Sequence, residues 1–208
     1  MEVLAVDNFK SLYYLLIDDI KNLKPIAKQS LLRLYEQFSQ GLSPNTKDYQ
    51  LIMQDNTHAS LCIDSHAGKI TSCFGCQSYH YTDDKKNYTT EHVIEWPSGK
   101  VFAWCIWDAF FITKLVGKSA TIRTVDFINK TKIKIEFDGS VFNCDDCWFS
   151  FPLGDTQMNE SIRACFCCRT KAFTNPQNAQ IYANQYNCEV VDMTEILART
   201  QKIVMALT

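Results

Sequence analysis

Apolar residues recur at steps of three and four from Phe9 to Ile20 (Leu12, Leu15, Leu16) and again from Pro25 to Phe38 (Ile26, Leu31, Leu34, Tyr35, Phe38). That is the helical period, and it predicts two amphipathic helices. Gly41 closes the second, and Ser43-Pro44-Asn45-Thr46 reads as a turn into a short third helical segment near Tyr49 to Met53. From Ala59 to Ile94 the pattern changes to strand-like alternation (Leu61, Ile63, Tyr79, Tyr81, Val93), broken at His66-Ala67-Gly68-Lys69 and at Asp83 to Asn87. Three helices followed by a hairpin predict a winged-helix-like module.

A turn at Pro97 to Gly99 precedes a stretch, up to Val116, that is apolar almost throughout and predicts a helix buried nearly all round. Beyond Gly117, β-branched and aromatic residues gather in Ala120 to Phe127, Lys132 to Phe137 and Cys147 to Phe151, with turn signals at Asn129 and Asp138-Gly139, which predicts sheet. Glu160 to Ala172 fits strand or helix equally. Pro176 to Gln185 and Met193 to Ile203 read as helices, with Cys188 to Val191 as a strand between them. The expected class is therefore α+β: an N-terminal three-helix, winged-helix-like part over residues 1–90, packed on a C-terminal mixed β-sheet with flanking helices over residues 91–208.

Composition narrows the function. The chain has 208 residues, 46% of them hydrophobic, enough to bury a sizeable core. With 21 Lys+Arg against 23 Asp+Glu, the net charge of −2 gives no electrostatic footprint for nucleic acid or an anionic membrane. The N-terminus mixes acidic with apolar residues and lacks a signal-peptide pattern, and the longest apolar run, Val101 to Ile112, is too short to span a bilayer and carries Asp108. A cytoplasmic setting is expected.

Ten cysteines are the unusual total. In a long chain with ample core material and no export signal they read as reduced thiols rather than a disulfide framework. Cys62, Cys105 and Cys188 stand alone, while the rest cluster as Cys73-x2-Cys76, Cys144-x2-Cys147 and Cys165-x-Cys167-Cys168. Cys105 and Asp108 lie three apart in the apolar segment, so in a regular helix they share a face. An aspartate among Trp104, Trp107, Phe110 and Phe111 is costly to ionise, and desolvation there raises a carboxyl above its ordinary value of about 3.9, fitting it to carry a proton near neutral pH. The alternative is structural: Asp108 bonds backbone groups, Cys105 packs, and the aromatic residues fill the core rather than line a pocket.

The run Val101-Phe102-Ala103-Trp104-Cys105-x2-Asp108, then Leu115 to Ala120, and the later Phe166-Cys167-Cys168 together resemble the catalytic segments of the organomercurial (alkylmercury) lyases. The resemblance implies protonolytic cleavage of a carbon-mercury bond, with Cys105 and Cys167 as the mercury-binding cysteines and Asp108 as the proton donor. It also implies a small organomercurial as substrate, no required cofactor, Hg(II) as the bound product, and low-molecular-weight thiols or a mercuric reductase as its acceptor. Soft thiolates suit a soft cation, and an aspartate that takes up a thiol proton can return it to carbon. The chain departs from many members in having no cysteine between Cys105 and Cys144.

Two other readings compete. The spacing Cys144-x2-Cys147-x17-Cys165-x2-Cys168 satisfies a four-thiolate template, so the chain can instead be a zinc-stabilised, thiol-rich binding module without lyase activity, or a lyase with a structural zinc. A metal-responsive DNA-binding regulator is disfavoured because the third helical segment, Asp48 to Met53, has only Lys47 beside it. His58, His66, His80 and His92 show no ligand spacing and read as surface or turn residues.

Overall fold

The computed structural model describes residues 12–40, 42, 90–144, 146–153 and 166–208. It begins with two helices, α1 (Leu12–Asn22) and α2 (Pro25–Ser39), the second opened by Pro25 in its first turn, where the missing N–H costs nothing. Tyr13, Ile17, Ile20 and Leu23 form one buried stripe, and Ala27, Leu31, Leu34, Tyr35 and Phe38 form another. The third helical segment and most of the strand-like span from Ala59 lie outside the described residues. So do the features that would make the N-terminal part a winged helix and set a boundary at residue 90.

The rest is α+β, as expected, but its strands form two antiparallel sheets rather than one mixed sheet. Strands β1 (His92–Trp96), β2 (Gly99–Ala103), β3 (Ala120–Val125), β4 (Lys132–Phe137) and β5 (Phe142–Asn143) make a five-stranded sheet in the order β2-β1-β3-β4-β5. Strands β6 (Trp148–Pro152), β7 (Ala172–Phe173) and β8 (Cys188–Asp192) make a second sheet in the order β7-β6-β8. A parallel bridge, Asp126 to Ala172, joins them. Helix α3 (Ile106–Val116) lies between β2 and β3, α4 (Pro176–Tyr186) between β7 and β8, and α5 (Met193–Leu207) ends the chain.

One expected helix is partly strand. Residues 99–103 pair with β1, Trp96 opposite Gly99 and His92 opposite Ala103, because Pro97-Ser98-Gly99 closes a hairpin and Val101 and Ala103 alternate inward. The helix starts only at Ile106. From there Ile106 to Thr113 are all buried, since α3 packs against the first sheet, α2 and α5 at once. Gly117, left-handed at φ 68°, ends it, its N–H bonding to the carbonyl of Thr113.

Candidate active site

Cys105 is not inside the helix; it is the residue that caps it. Its extended backbone (φ −137°, ψ 169°) leaves the sulfur free to accept the backbone N–H of Asp108 at 3.4 Å, while Asp108 Oδ2 accepts the backbone N–H of Cys105 at 3.2 Å. This reciprocal pair is the capping box usually built from Ser or Thr and Glu, made here from a cysteine and an aspartate. The spacing of three puts the two groups together for a different reason from the helical face expected of the sequence.

Cys167 arrives from the far side of the chain, at the start of a 3-10 turn, Cys167–Arg169. Ser150 of β6 holds that turn: its hydroxyl donates to the carbonyl of Arg169 at 2.6 Å and accepts the N–H of Lys171 at 2.9 Å. The Cys167 thiol points at Asp108 Oδ2, 3.9 Å away. One ligand atom from each of Cys105, Asp108 and Cys167 lies within 4.8 Å of the other two. All three are closed to solvent, at 0%, 1% and 2% exposure, so the site is a sealed cluster. Two grooves, of about 440 Å³ beside α2 and about 250 Å³ beside α5, are lined by other residues.

Burial pushes the Cys105 thiol above its ordinary value; a hydrogen bond from Cys167 opposes this, the Asp108 charge adds to it, and the N–H groups of Asp108 and Trp107 pull it back. A helix N-terminus favours a thiolate, but desolvation wins, so the resting Cys105 keeps its proton. A metal taken up by this sulfur would have to drive the proton off.

The aromatic residues of α3 pack rather than line a cavity. Trp107 meets Tyr13, Phe111 and Phe151 edge-on at 5.5, 5.7 and 5.4 Å, and Phe166 at 5.3 Å. Phe110 packs edge-on against Phe142 and Phe149. Phe166 thus ties the residue before Cys167 to the residue before Asp108.

The cysteines are not all reduced. Cys144 and Cys147 are joined in a disulfide, and Cys168 is also disulfide-bonded, so while these bonds are closed their sulfurs do not offer zinc the thiolates that the four-cysteine template requires. Cys165 lies outside the described residues, as do Cys62, Cys73 and Cys76. Cys105, Cys167 and Cys188 take part in no disulfide, and burial pushes the Cys188 thiol up to about 12. His92 corrects another expectation: it is 3% exposed, with Nδ1 2.8 Å from Thr124 Oγ1. Alternation in His92-Val93-Ile94-Glu95-Trp96 signals this, because it sets the histidine on the buried face with Ile94 and Trp96. His58, His66 and His80 lie outside the described residues.

The model of the MerB family, alkylmercury lyase, matches residues 87–204, more than half of the chain. The chain belongs to the alkylmercury lyase family. The family's members are enzymes that cleave carbon-mercury bonds, and its matched region spans the whole cluster of Cys105, Asp108 and Cys167. Among solved structures, the mercury-bound form of MerB2 is similar in fold, with a TM-score of 0.59 and 13% identity over 95% of this chain and 97% of that one. No curated protein matches the sequence. Among the described residues, no helix is long and apolar enough to cross a membrane.

Proposed function

We propose that this alkylmercury lyase uses Cys105 and Cys167 to hold the mercury of a small organomercurial and Asp108 to protonate the departing carbon. The observation that carries the reading is the mutual approach of the three groups, within 4.8 Å, in a site closed to water. Written in full, R–Hg⁺ and two thiols give R–H, one mercury bridging two sulfurs, and one proton released to solvent. As the first sulfur binds mercury its proton passes to Asp108, the nearest base to the Cys167 thiol and the backbone partner of Cys105. The second sulfur adds electron density to the metal and weakens its bond to carbon. Asp108 then delivers its proton to that carbon and returns to its starting state.

Hg(II) is the product, held on two soft ligands until another thiol removes it. A low-molecular-weight thiol or a mercuric reductase is the fitting acceptor, and the chemistry needs no resident cofactor. The setting that suits it is cytoplasmic. Because the cluster is sealed, substrate reaches it only when side chains above it move aside.

The test is hydrocarbon release from an alkylmercury substrate in excess thiol. Cys105→Ser and Cys167→Ser are each expected to abolish turnover, since a hydroxyl is a harder and far less acidic ligand. Full turnover by either variant would remove that cysteine from the mechanism.

A further inference from the structure

The mechanism above leaves Cys144 and Cys147 unused. They lie between β5 and β6, with Asp146 between them in the left-handed region at φ 39°. Their Cα atoms are 6.4 Å apart, and their sulfurs are bonded to each other. Cys147 is buried and Cys144 is half-buried, so the two residues differ in how far the core encloses them. Both belong with the core that packs around α3.

We propose that this pair, once reduced, is a second two-sulfur site, one that takes Hg(II) delivered as a complex with a low-molecular-weight thiol. Reduction uses two equivalents of that thiol, RSH: the Cys144–Cys147 bond breaks, two cysteine thiols form, and RS–SR leaves carrying the oxidising equivalents. Capture is ligand exchange, in which RS–Hg–SR and the two cysteine thiols give one mercury bridging Cys144 and Cys147 and two RSH. No redox change occurs in that step, and protons balance on the departing thiols.

Two arguments favour the pair over a chance thiol. Sulfurs that can bond to each other across one turn stay close after reduction, and that proximity suits the two-coordinate geometry Hg(II) prefers. Binding by the first sulfur also makes the second step intramolecular, at an effective concentration on the order of millimolar or more, so the pair competes with free monothiol where a lone cysteine does not. Half-buried Cys144, less enclosed than Cys105 and Cys167, is the sulfur an incoming thiol reaches more readily. While the disulfide is closed, neither sulfur is a ligand, so the redox state of the pair decides whether the site exists.

The experiment loads the reduced full-length chain with excess Hg(II), passes it through buffer containing a monothiol, and counts mercury per chain beside Cys144→Ser/Cys147→Ser. The variant is expected to hold about one mercury fewer, the chelated site being the one that survives the monothiol. Equal stoichiometry overturns the proposal. A companion measurement needs no variant, and so covers one that misfolds: alkylation of the reduced wild-type chain, read peptide by peptide, with and without mercury. Cys144 and Cys147 are expected to be protected together, at least about tenfold, as a chelate requires. Unchanged labelling of the pair overturns the site. So does retention of zinc against mercury with Cys165 and Cys168 protected alongside, which would restore the four-cysteine template. Hydrocarbon release is a separate readout, and its loss bears on Asp108 and its partners rather than on this pair.

Discussion

At the scale of single residues, Cys105 serves two purposes that pull against each other. As a helix cap its sulfur accepts an N–H, a contact that stabilises the thiolate, yet its complete burial holds the proton on. If Cys105 binds mercury as proposed, binding at neutral pH must release that proton. In unbuffered solution at pH 7, adding Hg(II) to the wild-type chain is expected to release about one proton more per chain than adding it to Cys105→Ser. Equal release would mean that Cys105 rests as a thiolate, against the direction its burial dictates. The residues themselves were readable in the sequence, Cys105 and Asp108 from their apolar surroundings and Cys167 only through the family motif. What joins Cys167 to them was not, because that depends on Ser150 holding Arg169 and on Phe166 packing against Trp107, each across a long stretch of chain.

At the scale of elements, α3 carries the site because it is wedged on every side. Trp107 stands at the centre, touching α1 through Tyr13, β6 through Phe151 and the Cys167 turn through Phe166. Trp107→Ala is expected to cost about 3–5 kcal/mol in unfolding by denaturant, the range for removing a large buried aromatic. A loss below about 1 kcal/mol would mean that the ring is not packed as described. The same element shows where pattern reading fails. Val101 to Val116 is one apolar stretch, and periodicity cannot separate a buried strand from a buried helix within it. The break is set by Gly99 in the hairpin and by the cap at Cys105, both tertiary in consequence. Lengths of the isolated elements were easier: Lys132–Phe137 falls where its β-branched and aromatic residues between two turn signals placed it, and α4 begins at the Pro176 foreseen.

At the scale of the molecule, two sheets must hold a fixed relation for Cys105 on one side and Cys167 on the other to meet. Asp126 is a main joint. It is fully buried, and its carboxylate accepts the N–H groups of Ile128 and Asn129 on one oxygen and the N–H and hydroxyl of Thr174 on the other. Burial, the largest single influence, pushes its carboxyl up, but these hydrogen bonds together outweigh it and hold the carboxyl below its usual 3.8. Folding therefore favours the ionised form. The contribution of Asp126 is complete above the unfolded value and fades as pH falls through the lower folded one. Asp126→Asn places an amide where Thr174 needs an acceptor, and is expected to lower stability at pH 7 by about 2 kcal/mol. That deficit should shrink in acid, below the ordinary carboxylate range. A deficit unchanged by pH would show that the joint works without its charge. The disulfides escaped the sequence reading at this scale too, since composition and the lack of an export signal pointed to thiols throughout.

The central claim is the division of labour between two sulfurs that bind and one carboxyl that protonates, and Asp108→Asn isolates it. The isosteric amide leaves Cys105 and Cys167 in place but cannot carry a proton at neutral pH. Incubated with an alkylmercury substrate and then assayed for both mercury bound per chain and hydrocarbon released in excess thiol, the variant is expected to bind the organomercurial. It should release hydrocarbon at least about 100-fold more slowly than wild type, the lower end of what general acid catalysis contributes. Release at the wild-type rate would contradict the account.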